Sequence, residues 1–417
     1  MIKSILTALL MLLLTSNITA QAEKEIAPPF HIKTITFVQN RQNIVPVFQL
    51  GDSFQLQFDD LHGNEANYYY QIVHCDYDWK QSQLSVNEYM RGFDNQRIID
   101  YTNSYNALQL YSHYRIQFPN RNTQLLVSGN YMIKIADENG DIVFSRKFIM
   151  YENIVTVPLQ VKRARNIADV NYKHNLEFSV KSTTITFQSP LANVKVMLLQ
   201  NGKLNSPITN IKPMFTIGND LIYKYDTETQ FWAGNEFRNF ENKDIRAAAN
   251  NVARIDSQGG VYNSYLYTDE ARAREPYSFN PDYNGNFLIN SLNVENIEIE
   301  ADYAWVYFTL SAPSFYEKKD IYVNGMFNNY AMNEESKMDY NAEKGVFEKA
   351  IMIKQGFTNY QYVVADKAGK IDQANAIDGN FFQTEDNYFA LIYYKENNQR
   401  YDRIIGKAVA SSNDIIN

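Results

Sequence analysis

Tyr68-Tyr69-Tyr70-Gln71-Ile72-Val73-His74-Cys75-Asp76-Tyr77-Asp78-Trp79 opens the stretch that decides the fold, and Val143-Phe144-Ser145-Arg146-Lys147-Phe148 closes it. Between them stand Asn87-Glu88-Tyr89-Met90-Arg91-Gly92-Phe93-Asp94, Leu108-Gln109-Leu110-Tyr111-Ser112-His113-Tyr114 and Ser128-Gly129-Asn130-Tyr131-Met132. These are short, aromatic-rich runs separated by turn residues, the pattern of strands on a half-buried sheet. The flanks agree. Phe54, Leu56 and Phe58 alternate with Gln55 and Gln57, and Tyr114, Ile116 and Phe118 alternate with Arg115 and Gln117. That period of two puts one face in a core and the other in water. Ile35 and Phe37 alternate with Thr34 and Thr36, but Ile32 and Val38 fall on the opposite face. Asn139-Gly140 between two such runs predicts a hairpin, because both residues tolerate positive φ. Leu125-x-x-Ser128-Gly129-x-Tyr131 looks like the tyrosine corner of immunoglobulin-like sandwiches.

Outward from this stretch the chain stays β. Residues 1–22 read as a secretory signal, with Lys3, an apolar core Ile5 to Leu14 and small residues ending at Ala20-Gln21-Ala22, where cleavage is expected. That apolar run is too short to span a bilayer, and no later stretch is apolar enough to span as a helix. Residues 23–153 are expected to form an N-terminal β-sandwich domain with a long irregular excursion at 76–107. Residues 154–298 are expected to form a middle β-domain. Pro158 places its first strand at an edge, Asn201-Gly202 marks a hairpin, and one short helix is expected over 243–254. Residues 299–400 look like an early-set immunoglobulin-like domain of the glycogen-binding type, and 401–417 a polar, fraying tail. The fold class is therefore all-β, with tandem immunoglobulin-like β-sandwich domains.

Composition narrows the function. The formal net charge is -8, and losing Lys3 with the signal makes it -9 (-8 minus 1). Such acidity excludes a basic face for nucleic acid or anionic lipid. Cys75 is the only cysteine, so no intramolecular disulfide forms. With 31 Tyr and 25 Phe against 3 Trp, the aromatic load sits on residues that pack on pleated surfaces or anchor interfaces.

No catalytic set stands out. The sequence lacks H-E-x-x-H, Cys-x-x-Cys, G-x-S-x-G and a Gly-rich phosphate loop. His74, Cys75, Asp76 and Asp78 form the only local ligand cluster, but neighbouring strand residues point to opposite faces and cannot share one metal. Asp137-Glu138-Asn139-Gly140-Asp141 reads as a hairpin tip, its Gly being misplaced for a calcium loop. Asp59-Asp60 and Asp76/Asp78 would suit acid–base work only if held about 5–9.5 Å apart across a cleft; otherwise they are turn residues. No catalytic residue, cofactor or metal is expected. Tyr77, Trp79, Phe93, Trp232 and Phe237, in polar aromatic patches, are the candidates for contact with a partner.

His74-Cys75-Asp76-Tyr77-Asp78-Trp79, Gly92-Phe93-Asp94-Asn95-Gln96-Arg97, Leu110-Tyr111-Ser112-His113-Tyr114, Ser128-Gly129-Asn130-Tyr131, Gly234-Asn235-Glu236-Phe237-Arg238 and Glu300-Ala301-Asp302-Tyr303 together resemble the type 9 secretion system plug family. The resemblance implies a periplasmic, non-enzymatic protein. Its partner would be the giant outer-membrane β-barrel translocon, whose periplasmic opening it would occlude between substrates, with a lateral-gate protein replacing it at another stage. It implies neither nucleic acid, direct membrane insertion nor a small-molecule ligand. Two other readings remain beside it. One is a periplasmic or surface glycan-binding module, from the third domain, although Tyr330 stands where that type usually has Trp. The other is a hydrolase using Asp59, Asp60 or Asp76.

Overall fold

The computed structural model describes residues 21–292 and 294–415; the expected signal, apart from Gln21 and Ala22, lies outside them. Three β-sandwich units make up the described residues. In the first, Gln42–Asn43, Ile32–Gln39, Phe54–Asp60, Ser112–Phe118 and Asp100–Asn103 form one antiparallel sheet. Val47–Gln49, Ile142–Tyr151, Gly129–Ala136, Tyr69–Cys75 and Gln96–Arg97 form the other. Their inner faces meet in an aromatic core in which Phe48 and Phe54 stack at 3.9 Å and Phe58 and Tyr114 at 5.0 Å. Each ring removed from water there contributes about 1.5–3 kcal/mol.

Local chemistry explains the pattern. Ile32 and Phe37 both reach the core because the pairing slips by one residue between Lys33 and Thr36, with Thr34 at φ 52°. This bulge reconciles the two faces that simple alternation leaves in conflict. The Asn139-Gly140 hairpin forms as expected, with Gly140 at φ 86°. The tyrosine corner forms too: the Tyr131 hydroxyl donates to the Val127 carbonyl at 2.8 Å.

The second unit packs Leu159–Arg163, Lys173–Val180, Asp220–Tyr223 and Phe215–Ile217 against a sheet of Val194–Gln200, Asn387–Tyr394 and Arg403–Ser411. Leu159–Arg163, which follows Pro158, lies at the sheet edge. The third unit has its core around Phe240, Val306, Phe308, Val323, Tyr360 and Ile377. Its sheets are Arg238–Glu241 with Gly356–Ala365 and Phe287–Ile289, and Val252–Asp256 with Tyr262–Leu266, Tyr303–Ser311, Val346–Lys354 and Asp339–Asn341.

The linear partition into 154–298, 299–400 and a tail at 401–417 is thus corrected. Residues 387–411 complete the second sandwich, with Leu391 opposite Met197, and the third sandwich is threaded into the second. Period two identifies a strand and not its partner, so a return pairing across 188–200 residues leaves no local mark. Arg403–Ser411 is a paired strand with Ile404 and Ile405 fully buried, not a frayed end. The helix expected over 243–254 is absent as well. Ala247, Ala248 and Ala249 lie exposed in a turn, with no apolar stripe to dock, and Val252–Asp256 is a strand.

Candidate functional site

The excursion after Tyr69–Cys75 begins by turning inward. Tyr77 and Trp79 are buried in a cluster with Val47, Ile149, Met197, Leu391, Tyr393 and Ile404, which glues the first sandwich to the second. The Tyr77 hydroxyl donates to the Val196 carbonyl at 2.7 Å and accepts from the Asn210 amide at 3.0 Å. Lys147 sits 4.3 Å over the Trp79 ring. Both residues are therefore anchors, but for the chain's own second unit. Packing of the polar-looking patch against Met197 and Leu391 removes them from the surface.

The neighbouring motif completes this joint. Ser128 accepts the Ile404 amide at 3.1 Å and donates to Glu152 at 2.7 Å, and Glu152 pairs with Arg403 at 2.8 Å. Asn130 accepts the Tyr393 hydroxyl at 2.7 Å. His74 lies between Ser82 Oγ at 2.8 Å and the Ser128 carbonyl at 3.2 Å. Gly129, at φ 154°, is what lets that ring fit: a Cβ there would stand 2.1 Å from His74 Nε2. Burial lowers the His74 pKa to about 4 and pushes the Cys75 thiol up to about 12, so at neutral pH the ring is uncharged and the sulfur stays a thiol.

A second joint links the first sandwich to the third. Asp59, fully buried, accepts from Tyr303 at 2.6 Å and Lys354 at 2.7 Å, and lies 2.6 Å from His113 Nδ1. Burial alone would raise its pKa; Lys354 and then His113 outweigh that and hold it below the usual carboxylate range. Lys354 also donates to the Glu298 carbonyl at 2.7 Å and sits 4.1 Å over Tyr111. Tyr111 donates to the Ala301 carbonyl, and Asp302 accepts the Leu108 amide at 2.6 Å. Asp60, on the opposite face, accepts from Tyr68 at 2.9 Å and from the His62 amide at 3.0 Å. The two carboxylates do not converge on a cleft, and Asp76 caps the Asp402 amide at 2.9 Å. Sequence reasoning missed Lys354. The one signal was a cation following Ala350-x-Met352 in period two, on the face opposite Ile351 and Ile353.

Gly234-Asn235-Glu236-Phe237-Arg238 leads the chain from the second sandwich into the third, where its arginine is buried. Arg238 pairs with Asp269 and Asp378, both at 2.6 Å, and Arg272 reaches Asp378 at 2.9 Å. Desolvation would raise the Asp378 pKa, but the two guanidinium groups hold it at about 2. Phe237 is buried and Trp232 half-buried, and both line a cavity of about 560 Å³ where the three units meet. Lys203 enters it 5.2 Å from the Phe237 ring and 4.9 Å from Tyr330. Burial lowers the Lys203 pKa to about 8. Tyr330 is itself buried and turned into this junction, so it offers no outward platform for a sugar ring.

Of the five contact candidates, Phe93 alone is on the surface, 71% exposed. Ile99 is 81% exposed and Leu110 62%, and Tyr105 and Leu108 are exposed too. The excursion therefore splits: its first half is core for a joint, and its continuation carries apolar side chains into solvent. Phe93 follows Gly92, whose φ of 112° and 1.8 Å virtual Cβ contact with the Asn122 carbonyl admit only glycine.

Residues 32–152 match the family model described as the type 9 secretion system plug protein first domain. A crystal structure of a hypothetical protein from Parabacteroides merdae ATCC 43184, at 2.30 Å resolution, superposes with a TM-score of 0.88 and 32% identity, over 94% of this chain and all of that one. No curated protein sequence matches the chain.

Proposed function

The chain belongs to the type 9 secretion system plug protein family, and from that premise we propose that it is a non-enzymatic stopper. It docks on the periplasmic opening of the giant outer-membrane β-barrel translocon and seals its pore. The observation that carries this reading is where the family-like runs sit. Four of the six build joints between the first sandwich and its neighbours, with buried ion pairs and hydrogen bonds, a fifth leads the chain from the second sandwich into the third, and none lines a cleft with converging catalytic groups. Their chemistry is spent on making one stiff body of three units. A stopper needs that stiffness, because a body that flexes at its joints leaks.

The sixth run, around Phe93, faces outward and begins the exposed apolar segment Phe93 to Leu110. We read that segment as the contact with the barrel. A few apolar anchors in a polar, acidic surface give binding that seals and still lets go. Among the described residues no helix is long and apolar enough to cross a membrane. Deleting the gene is expected to raise outer-membrane permeability to small toxic compounds while secretion persists. Unchanged permeability contradicts the seal.

A further inference from the structure

The first sandwich carries a cluster that the docking reading does not use. His31 precedes Ile32–Gln39, and His62 follows Phe54–Asp60. The two strands pair with Ile32 opposite Asp60, and the Leu61 amide donates to the His31 carbonyl at 2.8 Å. That register brings the two imidazoles together beside one carboxylate. Their rings stack at 4.2 Å, and one ligand atom from each of His31, Asp60 and His62 lies within 4.8 Å of the others. We propose that His31, Asp60 and His62 bind a divalent transition-metal ion of the zinc or copper type.

The geometry suits that class. Two ligands at about 2.1 Å from a tetrahedral ion stand about 3.4 Å apart, and His62 Nδ1 is already 3.3 Å from Asp60 Oδ1. Small rotations of the His31 ring close the remainder. Asp60 is held for the task, its Oδ2 taking the Tyr68 hydroxyl and its Oδ1 the His62 amide, the outer contacts that fix a ligating carboxylate. Two imidazoles with one carboxylate select zinc, copper or nickel over calcium and magnesium, which want oxygen. The exposed side of His62 leaves a coordination position for water. The ion would tie residue 31 to residue 62 beside the first-to-third joint, where Phe30 stacks on Trp305 at 5.9 Å and Leu61 packs with Tyr303.

The test uses the mature chain made without an affinity tag, stripped with chelator and titrated with zinc chloride calorimetrically. Cobalt absorption and copper spin resonance serve as second readouts. His74, His113 and His174 are buried, so nitrogen signals from an added ion report on His31 and His62. The site predicts one equivalent bound with a micromolar or tighter Kd. His62→Asn, a change at an exposed side chain, should weaken binding at least about tenfold, and His31→Asn should do the same. Copper should show hyperfine splitting from two nitrogens. Binding weaker than millimolar, or variants that bind like the parent, overturns the proposal.

Discussion

Replacing Lys354 with Met should break the joint between the first and third sandwiches. The substitution keeps the aliphatic stem and removes the ammonium that holds Asp59 at 2.7 Å and the Glu298 carbonyl at 2.7 Å. Asp59 is then left ionised with no solvent, keeping only Tyr303 and His113 as partners. Removing one side of a buried pair costs about 3–5 kcal/mol. With a urea dependence of about 2 kcal/mol per molar, the midpoint for this joint falls by about 2 M. The assay is fluorescence of Trp305, which packs at the joint, in a Trp79→Phe, Trp232→Phe background. Adding Asp59→Asn to Lys354→Met should recover at least about 1 kcal/mol, since the unpaired charge disappears. A midpoint shift under about 0.5 M, or strictly additive effects, refutes the idea that this pair locks the two units.

Tyr77→Phe should leave two polar partners, the Val196 carbonyl and the Asn210 amide, without the hydroxyl, costing about 1–3 kcal/mol of unfolding free energy by urea titration. Acid should loosen the first-to-second joint through His74. Its folded pKa of about 4 lies below the ordinary 6.5, so the neutral ring's contribution is whole above pH 6.5 and is lost as pH falls toward 4, about 3 kcal/mol in all. His74→Gln, which does not titrate, should flatten the stability profile over that window by this amount.

The strands of the first sandwich were legible from period two, and the Asn139-Gly140 hairpin and Tyr131 corner from turn chemistry, because each is a local device. The joints were not. Trp79 and Tyr77 lie among Asp and Asn, which made them candidates for a partner contact, yet Met197 and Leu391 cover them from elsewhere in the chain. Asp59 and Lys354 meet across nearly 300 residues, and neither neighbourhood announces a partner. The same non-locality hid the closure of the second sandwich by Arg403–Ser411, which lies between the polar runs Glu396-Asn397-Asn398-Gln399-Arg400 and Ser412-Asn413-Asp414. His31 and His62, too distant in sequence to suggest a shared ion, become neighbours only through strand register.

Whether the molecule stops a pore is tested most directly by gentle detergent extraction of the outer membrane, capture of this chain, and identification of what elutes with it. The parent protein should bring down a giant β-barrel. The Phe93→Ser, Ile99→Ser, Leu110→Ser variant, with its joints intact and its urea midpoint unchanged, should come down without it. A parent protein that elutes alone, or a triple variant that holds the barrel as firmly as the parent, contradicts the account.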